Sequence, residues 1–160
     1  MLKRLISLFA RTGIVFFFIV VAGLPDATAD DKSGKTLVGS WEVLVTNEQG
    51  LPPAVDITVV NRDGTMSNSD GIFGTGHGVW KHVGASQFAF KFKTPILANN
   101  ILGFPPGLML TVIGTMTVDK SGATASGPYD AVVLDAFGNF FFGFDGRVFF
   151  TRISIDGGDE

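Results

Sequence analysis

The sequence predicts an all-β fold, a single closed antiparallel up-and-down β-barrel of about eight strands. Three observations carry that expectation. From Thr36 onward, β-branched and aromatic residues alternate with polar ones in short runs, the period of a strand with one buried and one wet face. Gly, Asn and Asp separate the runs, and no stretch of useful length has a helical period. Three of the breaks also share one chemistry: Asn61-Arg62-Asp63-Gly64, Asp119-Lys120-Ser121-Gly122 and Asp135-Ala136-Phe137-Gly138. In each, Asp or Asn opens a type I turn, and Gly three residues on takes the left-handed conformation that closes a hairpin with a bulge. Such hairpins join neighbouring antiparallel strands.

Residues 1–29 read as a signal peptide, with Lys3, Arg4 and Arg11 ahead of an apolar run from Gly13 to Gly23 and the small-residue ending Ala27-Thr28-Ala29. That run is shorter than the roughly 20 residues of a spanning helix. The expected mature protein is secreted or periplasmic, without stable membrane insertion. It consists of a disordered arm at 30–35, a barrel domain at 36–155 and an acidic tail at 156–160. Cleavage leaves 9 Lys and Arg against 14 Asp and Glu, and no basic cluster, which argues against a nucleic-acid partner. With no Cys, the fold must rest on a hydrophobic core.

The strands fall at about 36–46, 54–61, 65–69, 76–83, 87–94, 108–119, 123–135 and 139–154. Phe88, Phe90 and Phe92 alternate with Ala89, Lys91 and Lys93, so the rings share one face. By the same reading Val55, Ile57 and Val59 face the core, and Asp56 and Thr58 face water. Leu108, Leu110, Val112, Met116 and Val118 form the next inward row. In the last segment Asp145-Gly146 could be a hairpin turn. One long bent strand is the more coherent reading, because it puts Phe140, Phe142, Phe144, Gly146, Val148, Phe150 and Arg152 on one face. So many one-sided strands must curl to hide their apolar face, and closure removes both edges. A two-sheet sandwich is the alternative.

Residues 94–110, TPILANNILGFPPGLML, form a long uncharged connection among short hairpins. It is too apolar for disorder, so Ile101, Leu102 and Phe104 are expected to fold over one barrel mouth as a lid or as a plug. An exposed apolar loop would also suit a homodimer.

Gly39-Ser40-Trp41 in the first strand and Arg152 near the end of the last resemble the lipocalins and other calycin-type barrels. The resemblance implies that Trp41 packs across the closed end beneath Arg152, a cation–π arrangement. Size and patterning are also similar to the allene oxide cyclase and dirigent barrels.

The candidate chemistry is sparse. His77 and His82 are five apart, so a strand sends them to opposite faces, which argues against a shared metal. There is no Cys nucleophile and no Gly-x-Ser-x-Gly elbow. The Gly-rich stretch 71–78 lacks the following helix that phosphate binding needs, and reads as a flexible connection. Most carboxylates look like turn formers or solvated side chains, and Asp130 beside Tyr129 is the exception considered.

The leading expectation is binding of an apolar small molecule, without cofactor or metal. Its site is built from Trp80, Phe88, Phe90, Phe92, Ile101, Leu102, Phe104, Tyr129, Phe140 and Phe142, with inward glycines such as Gly114 leaving space. The alternative is a cofactor-free cyclase or isomerase using Tyr129, Asp130 or His82. A protease-inhibitor-like interaction module is the third reading.

Overall fold

The computed structural model describes residues 36–97, 100 and 102–154. The expected signal peptide, the expected arm at 30–35, Ile101 and the expected tail at 156–160 lie outside the described residues. Eight strands follow in order: β1 Gly39–Asn47, β2 Ala54–Val60, β3 Thr65–Asp70, β4 Thr75–His82, β5 Gln87–Pro95, β6 Met109–Val118, β7 Thr124–Leu134 and β8 Phe140–Arg152. Each pairs antiparallel with the next and β8 pairs with β1, so the sheet closes into an up-and-down barrel. Among the described residues there is no helix.

The three expected hairpins form. Gly64, Gly122 and Gly138 sit at φ of 85°, 75° and 85°, and their amides donate to the carbonyls of Asn61, Asp119 and Asp135 at 3.3, 3.3 and 3.0 Å. Asp135 Oδ1 also accepts from the amides of Phe137 and Asn139 at 2.9 and 2.8 Å. In the first turn that role belongs to Asp63, which accepts from the Thr65 amide at 2.9 Å, and not to Asn61. The Gly-rich stretch is not a loose connection throughout: residues 75–78 are already in β4.

β8 runs through Asp145-Gly146 as one strand, with Gly146 opposite Asn47 on one side and Tyr129 on the other. A register shift at Val133/Leu134 breaks its inward row near the start. Phe142, Phe144, Val148 and Phe150 face the interior side, whereas Phe140 is 70% exposed and lies against Gly143.

The face assignment of β2 is reversed from the sequence expectation. Asp56 and Thr58 are buried, at 6% and 3% exposure, and Val55, Ile57 and Val59 face out. Register decides this. The turn at 61–64 sets Val60 opposite Met66, and β1 sets Thr58 opposite Trp41 and Asp56 opposite Val43. Because side chains alternate, an inward Val60 forces inward Thr58 and Asp56.

The two barrel ends differ. At the end where β1 begins, Trp41, Val60, Phe88, Met116 and Val118 are fully buried, each contributing roughly 1.5–3 kcal/mol or more by burial. Trp41 Nε1 donates to Leu37 O at 2.8 Å, and the Arg152 guanidinium stands 4.1 Å from the centre of the Trp41 ring. At the other end the connection from β5 to β6 packs Leu102 and Phe104 against the core, and its base is closed by the Ile96 amide donating to Leu108 O at 2.9 Å. Asn100 holds it in shape: Nδ2 donates to the carbonyls of Leu97 and Phe104, both at 2.8 Å, and Oδ1 accepts from the Phe104 amide at 3.0 Å.

The inward glycines do not leave open space. A β-carbon at Gly114 would stand 2.5 Å from Phe90 Cζ, so the ring already occupies the volume that glycine vacates.

Candidate functional site

A cavity of about 50 Å³ lies between the middle of the barrel and the loop-covered end. It holds roughly four water molecules' worth of space and is far below the roughly 300 Å³ of a drug-sized pocket. Its walls differ in chemistry. Phe90 and Phe92 from β5, Val112 from β6, Tyr129 from β7 and Phe144 from β8 form a mostly aromatic side. Asp56 and Thr58 from β2 and Asp70 from β3 form a polar side.

Strand register assembles the polar side. Asp56 stands opposite Asp70, and Thr58 opposite Asn68. Asn68 in turn stands opposite Gly76, where a β-carbon would collide with Asn68 Oδ1 and with Thr94 Oγ1 from β5. Glycine at 76 therefore lets two inward polar side chains meet over one strand. Among the described residues, Asp56 Oδ1, both terminal atoms of Asn68 and Thr94 Oγ1 have no hydrogen-bond partner. A buried polar atom left unpaired costs about 1–3 kcal/mol, and of these residues Asp56 is the one that lines the cavity.

Burial pushes the Asp56 carboxyl up from 3.8 to about 7, and the Asp70 charge across the strand pair adds to the rise. The neighbouring Asn68 amide offsets part of it without closing a hydrogen bond. Asp70 is differently engaged: its Oδ1 accepts from the amides of Ile72 at 2.7 Å and Gly74 at 3.3 Å, and from that of Phe73, capping the β3–β4 turn. Tyr129 donates its hydroxyl to Thr46 O at 3.1 Å. Burial first, then the charges of Asp145 and Asp56, raise its phenol to about 12.

Of the residues expected to form the site, Phe140 is 70% exposed and does not line the cavity, Ile101 lies outside the described residues, and the others divide into three groups. Phe90, Phe92 and Tyr129 line the cavity. Phe142, Leu102 and Phe104 stand over its mouth, half-buried against the core. Phe104 is the keystone there, stacked on Phe73 at 6.4 Å and meeting Phe141 and Phe142 at 5.8 and 5.7 Å. Trp80, Phe88 and His82 gather at the opposite end, with ring centres 4.3 to 5.8 Å apart, and do not line the cavity. Trp80 is tied down there by Nε1 donating to Asn61 O at 2.8 Å.

Two expected proton-handling residues are misplaced for the task. Asp130 is exposed, facing out between Ile113 and Asp145, because odd spacing from inward Tyr129 sends it to the other face. His82 is exposed at the last position of β4. The interior carboxyl is Asp56, which the alternation of β2 alone assigns to water. Counting pairs back from the 61–64 turn against the Trp41-Val43 row would have found it. Among the described residues no three His, Cys, Asp or Glu side chains gather as metal ligands.

Comparison with family models, with curated proteins and with solved structures finds no match for this chain.

Proposed function

We propose that this chain is an exported barrel that binds one small, largely apolar molecule in its interior. The cavity between the aromatic side and the Asp56 side, with Phe104 stacked on its lining residue Phe73, carries that reading. Burial against Phe90, Phe92 and Phe144 would supply affinity at roughly 25 cal/mol per Å² of apolar surface. Asp56 Oδ1, unpaired among the described residues and on a residue that lines the cavity, would supply orientation, since a ligand that donates to it removes the cost of leaving it unpaired. Export is supported by the sequence of residues 1–29, and similarity to the calycin-type barrels by the Trp41–Arg152 stack.

Native mass spectrometry of the exported protein tests the reading. The expected result is a low-mass adduct that denaturation releases. A bare mass, together with no response of the Tyr129 and Phe92 NMR signals to a panel of small amphiphiles, would sink it.

The cyclase or isomerase reading keeps one specific support. A buried carboxyl that titrates near pH 7 can give and take a proton inside an aromatic cavity, as general acid–base catalysis needs. The residue concerned would be Asp56, not Asp130 or His82. Turnover of a bound compound that Asp56→Asn abolishes while the compound still binds would favour this reading over plain binding.

A further inference from the structure

We propose that the interior site takes a small organic ammonium ion, with Asp56 and Asp70 at its charged head and Phe90, Phe92, Tyr129 and Phe144 around its apolar body. The inference rests on the binding reading above and names the ligand class.

Four features converge. Asp56 is 6% exposed, its Oδ1 has no hydrogen-bond partner among the described residues, and it lines the cavity. Asp70 stands directly across from it and lines the same space, so two carboxyl groups face one volume. Among the described lining residues none is cationic: Lys91 and Lys93 of β5 face out, and Arg152 is committed to Trp41 at the other end. The remaining walls are aliphatic and aromatic, and the rings among them, including Phe90, Phe92, Tyr129 and Phe144, have negative faces that attract a cation, most strongly where water is excluded.

The donor set also separates an ammonium ion from other occupants. A second anion would face two carboxyl groups and no compensating charge. A divalent metal ion needs about six oxygen ligands, and the aromatic rings provide none. A neutral apolar molecule would leave Asp56 Oδ1 unpaired. An ammonium N–H answers that oxygen, while its alkyl part meets the rings. Room for roughly four waters limits the occupant to about four or five heavy atoms.

The pairing is linked to pH, because Asp56 must lose its proton to act as the anion. The titratable groups facing it are Asp70 from β3 and Tyr129 from β7. The lining residues from β1, β5, β6 and β8 carry no titratable group. Ammonium binding should therefore release a proton between about pH 5 and 7, as the carboxyl near 7 is drawn back towards its ordinary range.

Calorimetry on the mature exported chain tests the proposal with butylammonium, butan-1-ol and butanoate. Butylammonium is expected to bind about tenfold or more tightly than butan-1-ol at pH 8, a margin that shrinks at pH 5, with butanoate weakest. Titration in two buffers of different ionisation enthalpy should report proton release near pH 6. Asp56→Asn should remove the preference and the proton release, while Asp130→Asn leaves both. Because Asp56→Asn is nearly isosteric, an unchanged butan-1-ol affinity serves as its folding control. Butan-1-ol binding as well as or better than butylammonium at pH 8 would overturn the ammonium inference and leave the binding reading standing. Binding of none of the three would overturn both.

Discussion

Asp56 and Asp70 stand directly opposite each other on β2 and β3, both turned into a cavity otherwise lined mainly by hydrocarbon and aromatic rings. Folding therefore favours a protonated Asp56. Below about pH 4 the folded and unfolded chains both hold that proton, and it contributes nothing to pH dependence. Between about pH 4 and 7 the unfolded chain has lost it and the folded chain has not, so stability falls as pH rises. The full loss above pH 7 is on the order of 4 kcal/mol as an upper bound, three units at about 1.4 kcal/mol each. Asp63, Asp119 and Asp135, held low by hydrogen bonds in their turns, act with the opposite sign and only in more acidic solution. Urea unfolding at pH 4.5, 6 and 8 should show the decline in the native chain and a nearly flat profile in Asp56→Asn. Parallel profiles would refute the buried carboxyl as its source.

Arg152 joins the last strand to the chain ahead of the first. Its Nε donates to Gly122 O at 2.8 Å, and its two terminal nitrogens donate to the carbonyls of Val38 and Thr36 at 2.8 and 2.7 Å. Arg152→Ala strips three carbonyls of a charged donor and uncovers the indole, at an expected cost of about 2–4 kcal/mol. Arg152→Lys keeps the charge but loses the planar fork, and should recover less than half of the loss. Full recovery by lysine in thermal melts would reduce the arrangement to simple charge.

The reversed face of β2 predicts an asymmetry between neighbours. Ile57→Thr on the outer face should change stability by less than about 0.5 kcal/mol. Val60→Ala, at a position only 1% exposed, should cost about 2 kcal/mol. Comparable costs in denaturant unfolding would count against the register that turns Asp56 inward.

Gly114 and Phe90 fill one volume between them. Gly114→Ala brings a β-carbon within 2.5 Å of Phe90 Cζ and 2.7 Å of Pro128 O, and should cost about 1–3 kcal/mol. Adding Phe90→Leu removes the ring clash but not the one with the backbone. A double-mutant cycle should therefore show favourable coupling with incomplete rescue, and simple additivity would disprove the shared volume.

At the loop-covered mouth, Phe104→Ala removes the ring that links Phe73 to Phe141 and Phe142. The expected loss is about 1–3 kcal/mol for a half-buried aromatic. Asn100→Ala should cost about 1–2 kcal/mol through the two carbonyls and one amide left without partners. Hydrogen exchange of the Phe104 amide should accelerate in Asn100→Ala, and unchanged protection would show that the loop does not depend on that side chain.

Much of the architecture was legible because its signals are local. Strand alternation and the Asn/Asp-to-Gly turns act over a few residues, and they placed eight strands close to where they occur, including the uninterrupted β8. The pairing of Trp41 with Arg152 follows from the calycin resemblance and not from spacing. The site was less legible. Phe90, Phe92 and Tyr129 reached the cavity, but Trp80 and Phe88 share their inward phase and lie at the far end. Phase says which face a ring takes and nothing about its height along the barrel axis.

Asp56 shows the same limit more sharply. The sequence by itself determined an all-β chain with strands of alternating polarity, the hairpins that join them in order and the apolar connection at 96–108. Only the tertiary structure decided that β2 turns Asp56 and Thr58 inward with Val60, and Val55, Ile57 and Val59 out. The physical reason is that a strand's two faces are equivalent until pairing chooses between them. Once the 61–64 turn and the Trp41 row fix the register, every side chain of β2 follows, whatever its own polarity.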